Sequence, residues 1–508
     1  MPISLSKHFS SFRKLLQEAD IPLLVFLLLF TNQSVITLKL AGLLFIYLLR
    51  FNVRFGLRKN RMPLFYVLII LLSCINLLVH IPDHSNKYLI AFGVANAFWF
   101  MCMLGYHQVK LSLERYGPQT MHRTLQLYCL INLVACVWQV LHIMYVTHSL
   151  NPYNTNLPFP YGISTGDNVY GVLLQNSYYN IMISSLLAIY FLFRNNRLFC
   201  MLNVFCMLLV FGNMGTLIFV VVVAMIFIAS LLRKLIIKKD ARNANKLLRW
   251  IEQITLPVRK SFFVLAIFLF VIIIYAIVSP ANLRYTVENL SYKFANGAAA
   301  THLSLPDNTP LKKPNAIHHL VYEQDTEATR NRVLLTREYL RHFQGKKLSF
   351  WETELFLTSS TSNFLLGAGP VRFSSLIAQR MGGMDSSRLF RTILPNYTND
   401  EYYDNHGMLI LVRIRDDDPQ YRASINWPDS FYNQLLGEYG ALGTLLFLIF
   451  YAGYFIRRAG KWSYSLWLCV AMVPFAWLSY LFEPLCVMVF FEMLMETDML
   501  TRKQETIT

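Results

Sequence analysis

Long apolar runs separated by short polar connections extend along this chain from Ile21 to Met499. A membrane-crossing helix needs about 20 apolar residues, and the longer of these runs reach that length. The pattern predicts an all-α polytopic membrane protein with about 12 transmembrane helices. The predicted helices correspond to residues 21–31, 35–51, 62–81, 88–106, 124–147, 176–193, 198–211, 216–232, 262–279, 431–456, 463–481 and 485–500.

One long polar stretch, residues 281–430, interrupts this pattern between the ninth and tenth runs. It divides the chain into helices 1–9 over residues 1–280, a large loop over 281–430, and helices 10–12 with a polar tail over 431–508. The loop contains aromatic residues, among them Trp351, and amphipathic stretches. We therefore expect it to be folded and mostly helical.

Local signals predict four elements within the loop. Residues 326–343 are expected to form a helix. Ser349 and Glu352 have the spacing of a capping box, which would start a second helix. The glycines of Gly367–Pro370 predict a turn followed by a short helix. The polar residues 400–426 are expected to be irregular.

The composition agrees with a membrane protein. Hydrophobic residues make up 55% of the chain and charged residues 15%, whereas a soluble domain carries about 25% charged residues. This excludes a secreted domain, a soluble cytosolic enzyme and a disordered chain. All eight cysteines lie in apolar runs, so the loop has no thiols for a disulfide framework or a metal site. No cofactor and no metal are expected.

The positive charge is unevenly distributed. The chain has a formal net charge of +17, of which the 281–430 loop carries +1 and the remainder +16. Basic residues in short connections mark the cytoplasmic side of a membrane protein. Their positions predict that both termini are cytoplasmic and that the large loop lies on the opposite side. The net positive charge thus reflects the orientation of the protein in the lipid membrane, and no nucleic-acid partner is needed to explain it.

Arginine is abundant in the loop. Arg330, Arg337 and Arg341 are spaced by seven and four residues, which places them on one face of a helix. Arg372 follows the glycine-rich turn. Guanidinium groups bind phosphate oxygens bidentately, so these residues are candidates for clamping a lipid diphosphate. The alternative is a solvated helix face whose arginines pair with neighbouring glutamates.

Two motifs flank the end of the loop. Residues Phe364–Pro370 read Phe-Leu-Leu-Gly-Ala-Gly-Pro, and Gln434–Gly443 read Gln-Leu-Leu-Gly-Glu-Tyr-Gly-Ala-Leu-Gly at the start of the tenth run. Together with the span count and the loop position, they resemble the O-antigen ligase/O-antigen polymerase superfamily. The residues that carry the resemblance are Trp351, Gly367, Gly369, Glu438 and Gly440. The glycines of the second motif have another interpretation, as small residues for close helix packing.

The resemblance implies a glycosyltransferase of the bacterial inner membrane, active at the periplasmic face. Its donor would be a glycan carried on undecaprenyl diphosphate. An acceptor glycan on another lipid-linked repeat would make it an O-antigen or exopolysaccharide polymerase, and lipid A–core as acceptor would make it a ligase. The histidine of the ligase motif falls on Asp429 here. This departure favours the polymerase.

A lipid-linked glycan transporter, or flippase, is the alternative from another class. Charged residues within the spans would mark a transport path. The predicted spans contain few of them, mostly near span ends: Lys39, Glu438, Glu492, Glu496 and Asp498.

Two residues are candidates for the base that takes the acceptor proton. Asp429 occupies the motif position directly before the tenth run. Its carboxylate could act as the base, or it could cap the tenth helix by accepting N–H bonds from Phe431 or Tyr432. His406 is the second candidate base, and its alternative is a solvated loop histidine.

The charge distribution predicts the topology directly. Reporter fusions after Lys239 and after Arg458 should give cytoplasmic signals, and fusions near Asn315 and Gly383 should give signals from the opposite side. A cytoplasmic signal at Asn315 would contradict both the predicted topology and an external site.

Overall fold

The computed structural model describes residues 13–32, 36–52, 62–79, 85–154, 156–157, 161–174, 176–239, 255, 258–280, 284, 340, 344–382, 396–415, 426–458 and 463–507. This part of the chain is helical and contains no β-strand. The helices are α1 Ile21–Phe30, α2 Ile36–Leu49, α3 Phe65–Val79, α4 Asn86–Thr147, α5 Ser177–Phe193, α6 Arg197–Val210, α7 Asn213–Lys239, α8 Val258–Val278, α9 Gly345–Thr358, α10 Thr361–Leu366, α11 Leu376–Met381, α12 Asp400–Tyr402, α13 Met408–Arg415, α14 Phe431–Leu446, α15 Gly453–Arg458, α16 Tyr464–Leu478 and α17 Cys486–Ile507.

Each predicted apolar run is helical over most of its length. Among the described residues, three helical segments are long and apolar enough to cross a membrane: Asn86–Thr147, Asn213–Leu232 and Phe431–Arg458. Shorter apolar helices of 10–17 residues accompany them. The all-helical membrane class is therefore confirmed, while the number of crossings stays a prediction.

Helix α4 joins two predicted runs through a sharp reversal at Gly117. Gly117 has a φ of 79°, outside the helical region. The Asp20 carboxylate accepts a hydrogen bond from Ser112 Oγ, and the Asp20 N–H donates to Thr124 Oγ1 over 2.9 Å. Twelve residues of straight helix would separate Ser112 from Thr124 by about 18 Å. Contact of both residues with Asp20 therefore requires the chain to turn back at Gly117.

Basic side chains from separate connections meet at one end of the helical bundle. Arg50 Nη1 donates to the Asp20 carboxylate over 2.7 Å. Lys110, close to Ser112 on α4, lies 3.6 Å from Glu496, and Arg458 lies 3.3 Å from the same carboxylate. These pairs satisfy charges that would be costly to bury alone.

The described part of the 281–430 loop packs at the opposite end. Tyr88, near the start of α4, lies against Arg372, and Asn76 Nδ2 donates to the Leu366 carbonyl over 2.8 Å. The helix rise places Tyr88 about 33 Å from Lys110 along α4. The loop and the basic cluster are thus separated by the length of the bundle.

Helix α17 is the centre of the bundle. Every residue from Leu481 to Asp498 is buried, as expected for a helix enclosed on all sides. Its acidic side chains have polar partners, and the Glu492 carboxylate accepts hydrogen bonds from the hydroxyls of Tyr66 and Tyr451. These bonds offset the cost of burying the carboxyl group.

The capping box predicted at Ser349 and Glu352 is wrong. Helix α9 starts four residues earlier, at Gly345, whose N–H donates to Asn426 Oδ1 over 3.1 Å. The capping group therefore comes from a residue distant in sequence, which a local pattern does not contain. Ser349 lies inside the helix and is buried. The helix predicted at 326–343 lies outside the described residues, apart from residue 340.

The irregular structure predicted over 400–426 is also wrong in its first part. Residues 400–415 are helical, with a π-helical turn at Tyr403–Gly407 between α12 and α13. Leu409 and Val412 of α13 are buried in a small apolar cluster with Leu348 of α9. An apolar segment inside a polar stretch thus drives helix formation through burial against α9.

Candidate functional site

The two family-like motifs are in direct contact. The N–H of Ala368 donates to the Gly437 carbonyl over 2.8 Å, and the N–H of Gly369 donates to the Glu438 carbonyl over 3.1 Å. The glycine-rich turn thus docks, backbone to backbone, on the first turns of α14. Gly367 and Gly369 have φ values of +71° and +97°, which glycine adopts with little strain.

The glycines of α14 make this contact possible. A Cβ on Gly437 would lie 2.1 Å from the Phe373 ring, and a Cβ on Gly440 would lie 2.5 Å from the Leu365 carbonyl oxygen. Gly440 has a φ of 63° and kinks the helix. The interpretation of these glycines as packing residues is correct, but their partner is the loop turn.

Two buried carboxyl groups hold the rest of the turn. Glu438 Oε1 accepts the N–H of Ser374 over 3.3 Å, and further bonds reach it from the backbone of Val371 and Phe373. Glu483, in the connection between α16 and α17, accepts the N–H of Leu376 over 2.6 Å. Glu438 therefore has a structural role in fixing the chain that follows Gly369.

The Arg372 side chain projects from this turn towards tyrosine side chains. Its side chain is largely buried, at 6% exposure. The guanidinium carbon lies 4.7 Å from the centre of the Tyr88 ring, and the group bonds to Tyr397. Stacking on an aromatic face suits a guanidinium group, because it is planar and weakly hydrated. A permanent positive charge is thus held at the loop end of the bundle.

Asp429 lies at the junction of the loop with α14 and is half-buried. Helix α14 begins at Phe431 with Ser430 as N-cap, and the Phe431 N–H donates to the Ser479 carbonyl over 3.1 Å. The Phe431 N–H is therefore bonded to Ser479, and the predicted capping bond from Tyr432 to Asp429 stays a prediction. Electrostatic interactions place the Asp429 carboxylate near Tyr402 and Glu483.

His406 is completely enclosed on the π-helical turn, with 0% exposure. The alternative of a solvated loop histidine is therefore wrong. Its Nε2 donates to the Ser349 carbonyl over 3.2 Å, and its ring meets the Phe373 ring edge-on at 5.0 Å. Nδ1 has no hydrogen-bond partner in the described part of the chain.

The electrostatic setting keeps His406 neutral. Burial lowers the pKa of His406 to about 4, and the nearby Lys346 ammonium acts in the same direction. One helical turn beyond Ser349, the Glu352 Oε2 atom is enclosed without a partner in the described part of the chain. Burial raises the pKa of Glu352 to about 8. In this conformation an acceptor sugar cannot reach the His406 ring.

The remaining predicted residues are placed differently. Trp351 packs against the cluster formed by Leu348, Leu409 and Val412, so its role is structural. Arg330, Arg337 and Arg341 lie outside the described residues. The structure thus brings together the two motif turns and Arg372, while Asp429 lies two residues before α14.

Three charged residues at this end were not singled out as site residues by the sequence reasoning. Lys346 is 1% exposed, Arg380 8% and Glu483 4%. Arg380 interacts electrostatically with Glu483. None of the three belongs to a local motif, and tertiary packing alone brings them to the site.

No family model, curated protein or solved structure matches the chain significantly. The family resemblance rests on the residues of the two motifs.

The docking of the turn on α14 predicts a strong effect of Gly440→Ala. Both the positive φ and the 2.5 Å approach to the Leu365 oxygen oppose a Cβ, and the expected loss of stability is at least about 2 kcal/mol. Gly93→Ala is the matched control, because nothing lies within 4 Å of its Cβ position. The midpoints of thermal unfolding of the two detergent-purified variants and the wild type measure this difference. Equal midpoints for Gly440→Ala and the wild type would refute the docking geometry.

The enclosed ring of His406 predicts acid sensitivity. The folded-state pKa of His406, about 4, lies below the usual histidine value of about 6.5, so unfolded chains take up the proton first. The stability contribution is complete above pH 6.5 and declines as the pH falls towards 4, by about 2–3 kcal/mol near pH 4.5. Unfolding measured across this range should show a smaller decline for His406→Gln. Replacement of the exposed His148, just after the predicted run 124–147, by Gln serves as the control, and an unchanged decline in His406→Gln would contradict the assignment.

Proposed function

We propose that this protein is a membrane glycosyltransferase that moves a glycan from undecaprenyl diphosphate to an acceptor sugar, as an O-antigen or exopolysaccharide polymerase. The observation that carries the proposal is the direct docking of the Gly367–Gly369 turn on Gly437–Gly440 of α14. The two segments that resemble the transferase family are 64 residues or more apart in sequence and form one structural unit. That unit positions charged side chains at the loop end of the bundle.

The cationic side chains at this end suit a diphosphate leaving group. Arg372 and Arg380 project from the docked turn and from α11, which follows it, and both are largely buried. Cations positioned where charge develops stabilise the transition state of a transfer reaction. We propose Arg372 as a binding residue for the diphosphate, with Arg330, Arg337 and Arg341 as further candidates.

Asp429 is the better candidate for the base. It is half-buried at the junction of the loop with α14, with one carboxylate oxygen enclosed, whereas the whole His406 ring is enclosed. In the proposed reaction, the acceptor hydroxyl oxygen forms a bond to the anomeric carbon of the donor. The bond from that carbon to the diphosphate oxygen breaks, and the lipid diphosphate leaves with the electron pair. The Asp429 carboxylate takes the hydroxyl proton.

A transporter is less consistent with the buried carboxyl groups. Glu496 is paired with Lys110 and Arg458, and Glu492 is bonded to two tyrosines on α3 and next to α15. These groups cross-link helices. We therefore propose membrane insertion with both termini cytoplasmic and the site at the periplasmic face of the inner membrane, without a transport role.

The test is glycan assembly in a strain that lacks the gene, complemented with variants at equal membrane abundance. Asp429→Asn should reduce transfer about a hundredfold or more, because the amide cannot accept the proton. Arg372→Lys should reduce transfer at least about tenfold, because the planar guanidinium group and its stacking on an aromatic ring are lost. Glu354→Gln, on the exposed face of α9, is the matched control. Normal polymer from Asp429→Asn would exclude Asp429 as the base.

The lipid-linked glycan that accumulates separates the candidate functions. A polymerase leaves single repeats on the lipid at the outer face when it is inactive. Accumulation of long lipid-linked polymer would instead identify a ligase, and repeats confined to the inner leaflet would identify a transporter. Either of these two outcomes would overturn the proposed polymerase.

A further inference from the structure

Lys346 is a buried cation with an unusual set of partners. Its side chain is 1% exposed. Its ammonium group donates to the backbone carbonyl of Asp429 and, over 2.8 Å, to the carbonyl of Leu478. Leu478 is the last residue of α16. The ammonium thus links the chain directly before α14 to the carboxyl end of a bundle helix.

The position suits a positive charge. The last carbonyls of a helix lack intrahelical partners and carry the negative end of the helix dipole. Other carbonyls of this last turn have partners, since Phe475 accepts the Ser479 N–H over 3.1 Å and Ala476 accepts the Ser430 hydroxyl over 3.3 Å. The Leu478 carbonyl is the one that accepts from Lys346. A buried ammonium bonded to carbonyl oxygens at this point is both solvated by the protein and attracted to the helix end.

The first turns of α9 fasten the rest of the same loop. The Gly345 N–H donates to Asn426 Oδ1 over 3.1 Å. Asn433 Nδ2 donates to the Pro428 carbonyl over 3.3 Å and to Ser349 Oγ over 2.9 Å. Residues 426–430 are thus tied to α9 and α14 at several points, and the Lys346 bond falls on Asp429 itself.

Lys347 provides a matched comparison for Lys346. Lys347 has the same side chain on the same helix but is exposed. The difference between the two lysines is only their direction from α9. Any effect of charge removal that is confined to residue 346 therefore reflects the buried surroundings of its ammonium group, which include the Asp429 and Leu478 carbonyls.

We propose that Lys346 is a positioning residue for the transfer reaction, which holds the main chain at Asp429 against the end of α16 and so sets where the Asp429 carboxylate meets the acceptor. The role in the reaction rests on the proposed function, in which Asp429 is the base. Lys346 itself is enclosed and acts through Asp429.

The first experiment does not depend on activity. Asp429→Cys is combined with Lys346→Met or with Lys347→Met, and a membrane-impermeant maleimide labels intact membranes. Mass spectrometry of the peptide containing residue 429 gives the labelling rate. We expect a rise of at least about tenfold with Lys346→Met, because two bonds to a charged donor are lost. No change is expected with Lys347→Met. Equal rates in the two combinations would overturn the positioning role.

The second experiment measures glycan transfer to test whether Lys346 acts through Asp429. Lys346→Met should lower the turnover rate at saturating donor and leave the KM for the lipid-linked donor unchanged, and Lys346→Arg should restore part of the rate. Lys346→Met combined with Asp429→Asn should be no slower than Asp429→Asn alone. Additive losses would show that Lys346 does not act through Asp429, and they would refute the inference. If Lys346→Met increases labelling but the wild-type protein transfers no glycan, the proposed function is overturned. The role of Lys346 in holding the main chain at Asp429 would still stand.

Discussion

The close approach of two backbones, at the Gly367–Gly369 turn and at the start of α14, is the contact on which the rest of the site depends. It requires glycine on both sides, since side chains at Gly437 or Gly440 would occupy the space of Phe373 or of the Leu365 carbonyl. Once the turn is docked, the N–H groups that follow it reach the carboxyl groups of Glu438 and Glu483. Arg372 and Arg380 then project from a backbone that these hydrogen bonds hold in place.

Burial of charge has different consequences at the two ends of the bundle. At the basic end, Asp20 and Glu496 are each paired with cations; the first pair joins the start of α1 to the end of α2, and the others join α4 and α15 to α17. At the loop end, Lys346 is bonded to backbone carbonyls and Arg372 to aromatic side chains. Carboxylates also act on the cations of this end, since Arg380 interacts electrostatically with Glu483 and Arg372 with Glu401.

The local character of the sequence signals explains which predictions succeeded. Apolar runs identified the helices of the bundle because a helix of that composition has to be buried in a membrane or a core. The glycine-rich turn was also predicted correctly, because positive φ is an intrinsic property of glycine. The start of α9 was misplaced because its cap, Asn426, is supplied from about 80 residues away. Residues 400–415 were misjudged because the burial of Leu409 and Val412 depends on α9.

The sequence by itself determined the helical membrane class, the separation of the basic connections from the loop, and the two motifs with their glycines. Each of these follows from composition or from the conformational preference of single residues. Only the tertiary structure decided that the two motifs touch, that the His406 ring is enclosed, and that Lys346 reaches the Asp429 carbonyl while Lys347 does not. Such contacts join residues far apart in the chain. Their existence depends on how α9, α14 and α16 pack, because a hydrogen bond between distant residues leaves no periodic signal in the sequence.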